Sequence, residues 1–194
     1  MMTDYILAAV IAYLIGSIPS GLILGKLFWH TDLREHGSHN IGATNAWRTL
    51  GKGAGIAVFI ADSLKGQAGV ALGLVLAGTP LAAVLGGLFA IIGHSFSIFL
   101  GFHGGKGVAT SLGVLTMLMG DVTFIVFVVW FTIVYMTRYV SLGSVVAGVL
   151  TPILAALFAY PMEYIVFTVI AALLVIVRHR ENIKRLMNGT ENKI

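Results

Sequence analysis

The sequence predicts an all-α integral membrane protein of about seven transmembrane helices, some of them short, with its N-terminus outside and its C-terminus cytoplasmic. Three observations carry that prediction. First, 58% of the 194 residues are hydrophobic and 10% are charged, against roughly 25% charged in an ordinary soluble domain. With a mean hydropathy of +0.95, the chain has too few charges to coat a soluble globule, which excludes a soluble enzyme and a disordered protein alike. Second, the apolar runs are long and continuous, as helices require and as the alternating strands of a membrane barrel do not. Third, the basic residues gather at alternate breaks between those runs.

Taken in order, the runs are Asp4–Phe28, Lys52–Ala77, Pro80–Leu100, Gly107–Met119, Asp121–Thr137, Ser141–Tyr160 and Pro161–Val177. The first carries Gly16-Ser17-Ile18-Pro19-Ser20-Gly21, where proline kinks a helix and Ser17 or Ser20 can satisfy the freed backbone or line a cavity. Asp4 at its start and Lys26 after its apolar stretch are the reverse of a signal peptide, so it reads as a retained helix. The second run contains Asp62 and Lys65, three residues apart; a neutralising ion pair is favoured, though Asp62-Ser63-Leu64-Lys65-Gly66 equally reads as a helix break. The fourth and fifth runs are short for a full crossing and are joined only by Gly120-Asp121.

Seven crossings put the breaks at 29–51, 101–106, 138–140 and the tail after 177 on one side. That side holds 11 of the 12 Lys and Arg, Lys65 being the exception, and by the positive-inside rule it is cytoplasmic. The sequon Asn188-Gly189-Thr190 lies in this cytoplasmic tail and is discounted. The polar segments do not recur in two halves as in an inverted-repeat transporter, and residues 1–194 read as one domain. With no cysteine there is no disulfide, thiolate nucleophile or Cys-based metal site.

Polar chemistry concentrates in three places. The break at 29–51 contains Gly37-Ser38-His39-Asn40-Ile41-Gly42-Ala43-Thr44-Asn45-Ala46-Trp47-Arg48. Small donors, glycines that admit close backbone approach and a planar guanidinium together suit a phosphate; phosphate binding is favoured here over a solvated turn. The second array is Gly93-His94-Ser95-Phe96 followed by Gly101-Phe102-His103-Gly104-Gly105-Lys106-Gly107 at the start of a helix. An anion cradle and a tight turn with Lys106 snorkelling to headgroups fit it about equally. It is no nucleotide P-loop, since Gly107 replaces the magnesium-binding Ser/Thr. The third comprises Arg138-Tyr139-Val140-Ser141 and Arg178-His179-Arg180-Glu181-Asn182. The positive-inside rule accounts for its arginines, whereas His179 and Asn182 share a helix face and can point back into the bundle. His36, His39 and Glu35 match no metal motif, and no carboxylate in the sequence obviously orients His94 for a Ser-His-Asp triad. Neither a metal nor a cofactor is expected.

These stretches, in this order and over essentially the whole chain, resemble the acyl-phosphate-dependent glycerol-3-phosphate acyltransferases, the bacterial PlsY family. Where the family pattern has Gly-Ser-Gly-Asn, this sequence has His39 in place of the second glycine. The resemblance implies a seven-helix inner-membrane enzyme with a cytoplasm-facing site. It would move an acyl group from acyl phosphate to the 1-hydroxyl of glycerol 3-phosphate, forming lysophosphatidate and phosphate, the first acylation of phospholipid synthesis. Membrane lipid and the acyl-phosphate-forming enzyme are then the expected partners, with no nucleic acid. An acyl phosphate is already activated, so no covalent nucleophile is needed. On this reading Ser38, Asn40, Gly42, Thr44 and Asn45, with Gly104, Gly105, Gly107, Ser141 and Asn182, bind the two phosphates. Lys106, Arg48 and His179 form the catalytic set, and Ser17, His94, Asp62 and Lys65 are further candidates. His179, His94 or a phosphate oxygen of the donor would take the hydroxyl proton. A small transporter or channel for an anionic solute is the alternative. It would explain Asp62/Lys65 and the broken first helix, but not the concentration of polar groups on one side.

Overall fold

The computed structural model describes residues 2–194, and every regular element among them is helical. The chain divides into two compact units, Met1–Met117 and Leu118–Ile194.

The first unit begins with α1 (Met2–Ser17) and α2 (Ser20–Trp29). Proline disfavours helical backbone at the residue before it, so the first apolar run breaks at Ile18-Pro19 as its sequence predicts. The carbonyls freed by the break accept from side chains elsewhere in the unit. Ser97 Oγ donates to the Ser17 carbonyl at 2.6 Å and Lys65 Nζ to the Ile18 carbonyl at 3.0 Å; Ser20 Oγ reaches Ile18 O only at 3.5 Å. The short helix α3 (Ala43–Leu50) follows, then α4 (Lys52–Ala77) and α5 (Pro80–Ser95), whose start is capped by the Thr79 side chain accepting from Ala82 N. A single 3-10 turn at Ile98–Leu100 leads to α6 (Val108–Leu118).

Bulky apolar side chains gain nothing by facing each other inside lipid, so small residues that let backbones approach make the helix contacts. Most of the buried residues of α5 are accordingly small, namely Ala82, Ala83, Gly86, Gly87, Ala90 and Gly93, beside Val84, Ile91, His94 and Ser95. At Gly66 on α4 and Gly113 on α6 a Cβ would collide with the Thr110 and Ser63 carbonyls, respectively, so glycine is what brings α4 and α6 together. α4 runs without interruption through Asp62 and Lys65; the helix break considered there does not form.

The second unit comprises α7 (Gly120–Thr137), α8 (Val140–Leu157), α9 (Met162–Arg178) and α10 (Arg180–Met187). α10 departs from α9 at 60° about His179. The Tyr160 hydroxyl donates to Asp121 across the extramembrane ends of α7 and α8. Among the described residues, five helical spans are long and apolar enough to cross a membrane, with α1 and α2 counted as one, or six if the α9–α10 pair is one bent span, and α6 is a shorter apolar helix. Helices thus occupy all seven apolar runs, with α6 too short for a complete crossing.

Candidate active site

The segment between α2 and α3 is built on a small apolar core. Leu33 and Ala46 are buried against Ala54 and Val58 of α4, with Leu24, Trp29, Ala43 and Leu50 packed around them. Above it, Asn45 gathers the loop: its Oδ1 accepts from Ser38 N at 2.8 Å. Its Nδ2 donates to the carbonyls of Leu33 and His36 at 3.0 Å and of Asn40 at 2.8 Å. At 1% exposure and with its amide fully engaged, Asn45 builds the loop rather than holding a phosphate, which corrects the role expected of it. Asn40 Oδ1 accepts from Gly42 N at 2.9 Å, a turn that delivers the chain into α3. His39 takes φ +56°, the left-handed conformation that glycine adopts without strain. Asp32 fixes the loop's entry, paired with Arg34 at 2.7 Å and Lys26 at 3.0 Å; the Arg34 hydrogen bonds above all hold its carboxyl well below the usual range. The structure leaves Ser38, Asn40, Thr44 and Arg48 partly exposed around this framework.

The Gly-Gly-Lys-Gly segment is strapped to the end of α5. Gly104 N donates to Ser95 O at 3.2 Å and Gly105 N to His94 O at 3.0 Å. Gly107, at φ +80°, faces the Ser95 hydroxyl, and Lys106 between them is half-buried. The hydroxyls of Ser17, Ser95, Thr110 and Ser111 are buried with no hydrogen-bond partner; three of these residues flank the segment in sequence. Beneath it, Asp62 Oδ1 lies 2.9 Å from Lys65 Nζ and 3.6 Å from His94 Nδ1, with all three residues at most 6% exposed. A carboxylate therefore does stand beside His94, contrary to the sequence reading. Helix periodicity shows Asp62 and Lys65 as a pair but is silent about a third group on another helix.

In the second unit Ser141, at the start of α8, and Asn182, on α10, do meet, through a residue the sequence reading missed. The Glu191 carboxylate accepts from Ser141 Oγ at 2.8 Å, Asn182 Nδ2 at 2.7 Å and Arg185 Nε at 2.7 Å. Burial pushes this carboxyl up, but the three donors outweigh it and leave the group below its ordinary value of 4.5. The tail is held further by Ile194 N donating to Arg138 O at 3.0 Å and by Lys193 over the Tyr139 ring. Glu191 is one of two acids in a basic tail, and nothing in the sequence marks it out from Glu181. His179 is buried at the α9–α10 bend, with Nδ1 at 2.8 Å from the Val175 carbonyl. That contact requires a proton on Nδ1, so the neutral ring carries its lone pair on Nε2.

The arrays just described lie within one family pattern. Residues 6–189 match the family model described as glycerol-3-phosphate acyltransferase. The chain belongs to the glycerol-3-phosphate acyltransferase family. Among its relatives, the glycerol-3-phosphate acyltransferase of Carboxydothermus hydrogenoformans is 48% identical over 97% of this chain and 96% of its own. The Bacillus subtilis protein of the same name is 47% identical over 97% and 96%. The crystal structure of PlsY (YgiH), an integral membrane glycerol 3-phosphate acyltransferase, is similar in its glycerol 3-phosphate form with a TM-score of 0.93. It shares 39% identity and covers 98% of this chain and 95% of that one. The lysophosphatidic acid form matches with a TM-score of 0.90 at 37% identity over the same shares. As a member of this acyltransferase family the chain is a multi-pass integral membrane protein.

Proposed function

We propose that this protein transfers an acyl group from acyl phosphate to the sn-1 hydroxyl of glycerol 3-phosphate, releasing phosphate and forming lysophosphatidate. The observation that carries the reading is the near-full-length likeness to a relative solved in its glycerol 3-phosphate and lysophosphatidic acid forms. Acyl phosphate as donor rests on the residue chemistry: no cysteine is present to act as a covalent nucleophile, and an acyl phosphate needs none.

The work left to the protein is positioning and electrostatics. Attack of the hydroxyl on the acyl carbonyl forms a C–O bond and breaks the bond to phosphate, which leaves with its electron pair. Arg48 and Lys106 offset the charge that grows on the carbonyl oxygen and the departing phosphate. The side chains of Ser38, Asn40 and Thr44 and the Gly107 N–H supply donors to the two phosphates, whereas the N–H groups of Gly42, Gly104 and Gly105 and the side chains of Ser141 and Asn182, also expected there, already donate within the fold. His179, with its lone pair on Nε2, or a phosphate oxygen of the donor accepts the hydroxyl proton. Counting each of the seven apolar runs as a crossing puts eleven of twelve basic residues on one side, which supports a site facing the cytoplasm of the inner membrane. The acyl-phosphate-forming enzyme is then the functional partner.

Purified protein in detergent, given acyl phosphate and glycerol 3-phosphate, is expected to release phosphate and lysophosphatidate in equal amounts. Flux of an anionic solute across sealed liposomes, with no lysophosphatidate formed, would replace this reading with a transporter. Product formed from acyl-CoA but not from acyl phosphate would overturn the donor alone.

A further inference from the structure

The buried group of Asp62, Lys65 and His94 has no role in the reaction as described, and it is costly to keep. Ionisable side chains inside a membrane helix bundle are expensive unless paired, and they persist where they do something. Its position is informative. Lys65 spans two acceptors, Asp62 at 2.9 Å and the Ile18 carbonyl at 3.0 Å, so it ties the carboxylate to the break between α1 and α2. Asp62 in turn faces Nδ1 of His94 at 3.6 Å. The opposite edge of that ring meets the Gly-Gly-Lys-Gly segment: a Cβ added at Gly105 would collide with His94 Nε2. The backbone of the same residue makes the strap itself, His94 O accepting from Gly105 N at 3.0 Å. His94 thus touches the residue before Lys106 with both its main chain and its ring.

Resting on the acyltransferase reading above, we propose that His94, held by Asp62 and Lys65, is a positioning residue that sets the placement of Lys106 by supporting the backbone at Gly105. The imidazole is a rigid plate between a fixed carboxylate and a glycine with no side chain, so its height sets how far the segment can settle toward the core. Gly105 is glycine because the ring occupies the space a side chain would need. Lys65 sets the level of the carboxylate, since its ammonium is held at the same time by the Ile18 carbonyl, which also accepts from Ser20 N at 2.9 Å. His94 itself need not touch either substrate.

The test uses the full-length protein in detergent and the variants His94→Ala, His94→Gln and the charge-free double Asp62→Asn/Lys65→Met, each alone and combined with Lys106→Ala. His94→Ala and the double variant are expected to lower kcat about 30-fold or more while KM for glycerol 3-phosphate moves less than about threefold. His94→Gln, whose amide reaches the ring's outer edge, should recover at least about fivefold of that loss. On the Lys106→Ala background the same substitutions should cost less than about threefold further, because residues acting through one group are not additive. Independently of turnover, the acetylation rate of Lys106 by acetic anhydride, read by mass spectrometry, should change at least about fivefold in His94→Ala. A wild-type kcat in His94→Ala, losses that multiply with Lys106→Ala, or an unchanged Lys106 acetylation rate would each overturn the proposal. If His94→Ala does not fold, His94→Gln and the double variant carry the same comparisons. A wild-type protein that forms no lysophosphatidate refutes the enzymatic reading instead, and the Lys106 acetylation rate still decides the positioning.

Discussion

Lys106 and His39 show how much rests on single positions. Lys106 carries the point charge of the Gly-Gly-Lys-Gly segment, and losing one such stabilising group from a transition state costs about 100-fold or more in rate. Lys106→Ala should therefore lower kcat by at least about 100-fold in the phosphate-release assay with the melting temperature little changed. His39 is a different case. It holds φ +56°, a conformation that costs a residue with a Cβ roughly 1–2 kcal/mol, and its ring recovers part of this through Nδ1 against the Arg34 carbonyl at 2.9 Å. His39→Gly is expected to be neutral or to stabilise the protein by up to about 1 kcal/mol, measured by thermal unfolding in detergent. A destabilised glycine variant would mean that the ring contact outweighs the strain. Asn45 is the residue whose type misleads: an amide among small donors suggests a ligand, yet its geometry spends all of them on the loop.

Helix contacts in the first unit are set by the absence of side chains. α4 and α6 approach where Gly66 faces the Thr110 carbonyl and Gly113 faces that of Ser63, and Ser63 Oγ donates to the Ala109 carbonyl at 3.1 Å across the same contact. A side chain at Gly66 would push back the start of α6, the helix that follows Lys106 directly. Gly66→Val should lower stability by about 1–3 kcal/mol, the usual cost of overpacking, and lower kcat as well. If it lowered the melting temperature with kcat intact, the α4–α6 spacing would not be transmitted to the segment that carries Lys106. The break between α1 and α2 works in the opposite sense. Proline opens the helix, and the freed carbonyls become the anchors for Ser97 and Lys65.

Across the whole molecule, acid stability and orientation are the properties to measure. Glu191 has a depressed carboxyl in the folded protein, so it adds stability that is complete above the ordinary value of 4.5 and is lost as pH falls through the folded value. Melting temperature should fall on acidification below that ordinary value, and Glu191→Gln should flatten this part of the profile while lowering stability at neutral pH. An identical acid limb in Glu191→Gln would exclude this carboxylate as its source. Because the chain has no cysteine, single substitutions report orientation directly. In inverted membrane vesicles Asn188→Cys should react with an impermeant thiol reagent and Glu163→Cys should not. The reverse pattern would overturn the cytoplasmic placement of the basic side.

What the sequence determined by itself is the membrane class, all seven apolar runs as helices, the proline break and the three polar arrays. These are local or additive properties: hydropathy sums along a segment, proline acts on its neighbour, and charge partition follows loop composition. Only the tertiary structure decided which donors each polar side chain meets. Asn45 turned from ligand to organiser because its partners lie up to 12 residues away along a folded-back loop. Glu191 gained Ser141, 50 residues distant, through the return of the tail to α8. His94 met Asp62 because α4 and α5 pack on glycine and alanine closely enough to put a carboxylate on one helix beside an imidazole on the other. Side-chain chemistry is written residue by residue, whereas the pairing that gives it a role depends on distances that close packing alone brings within reach.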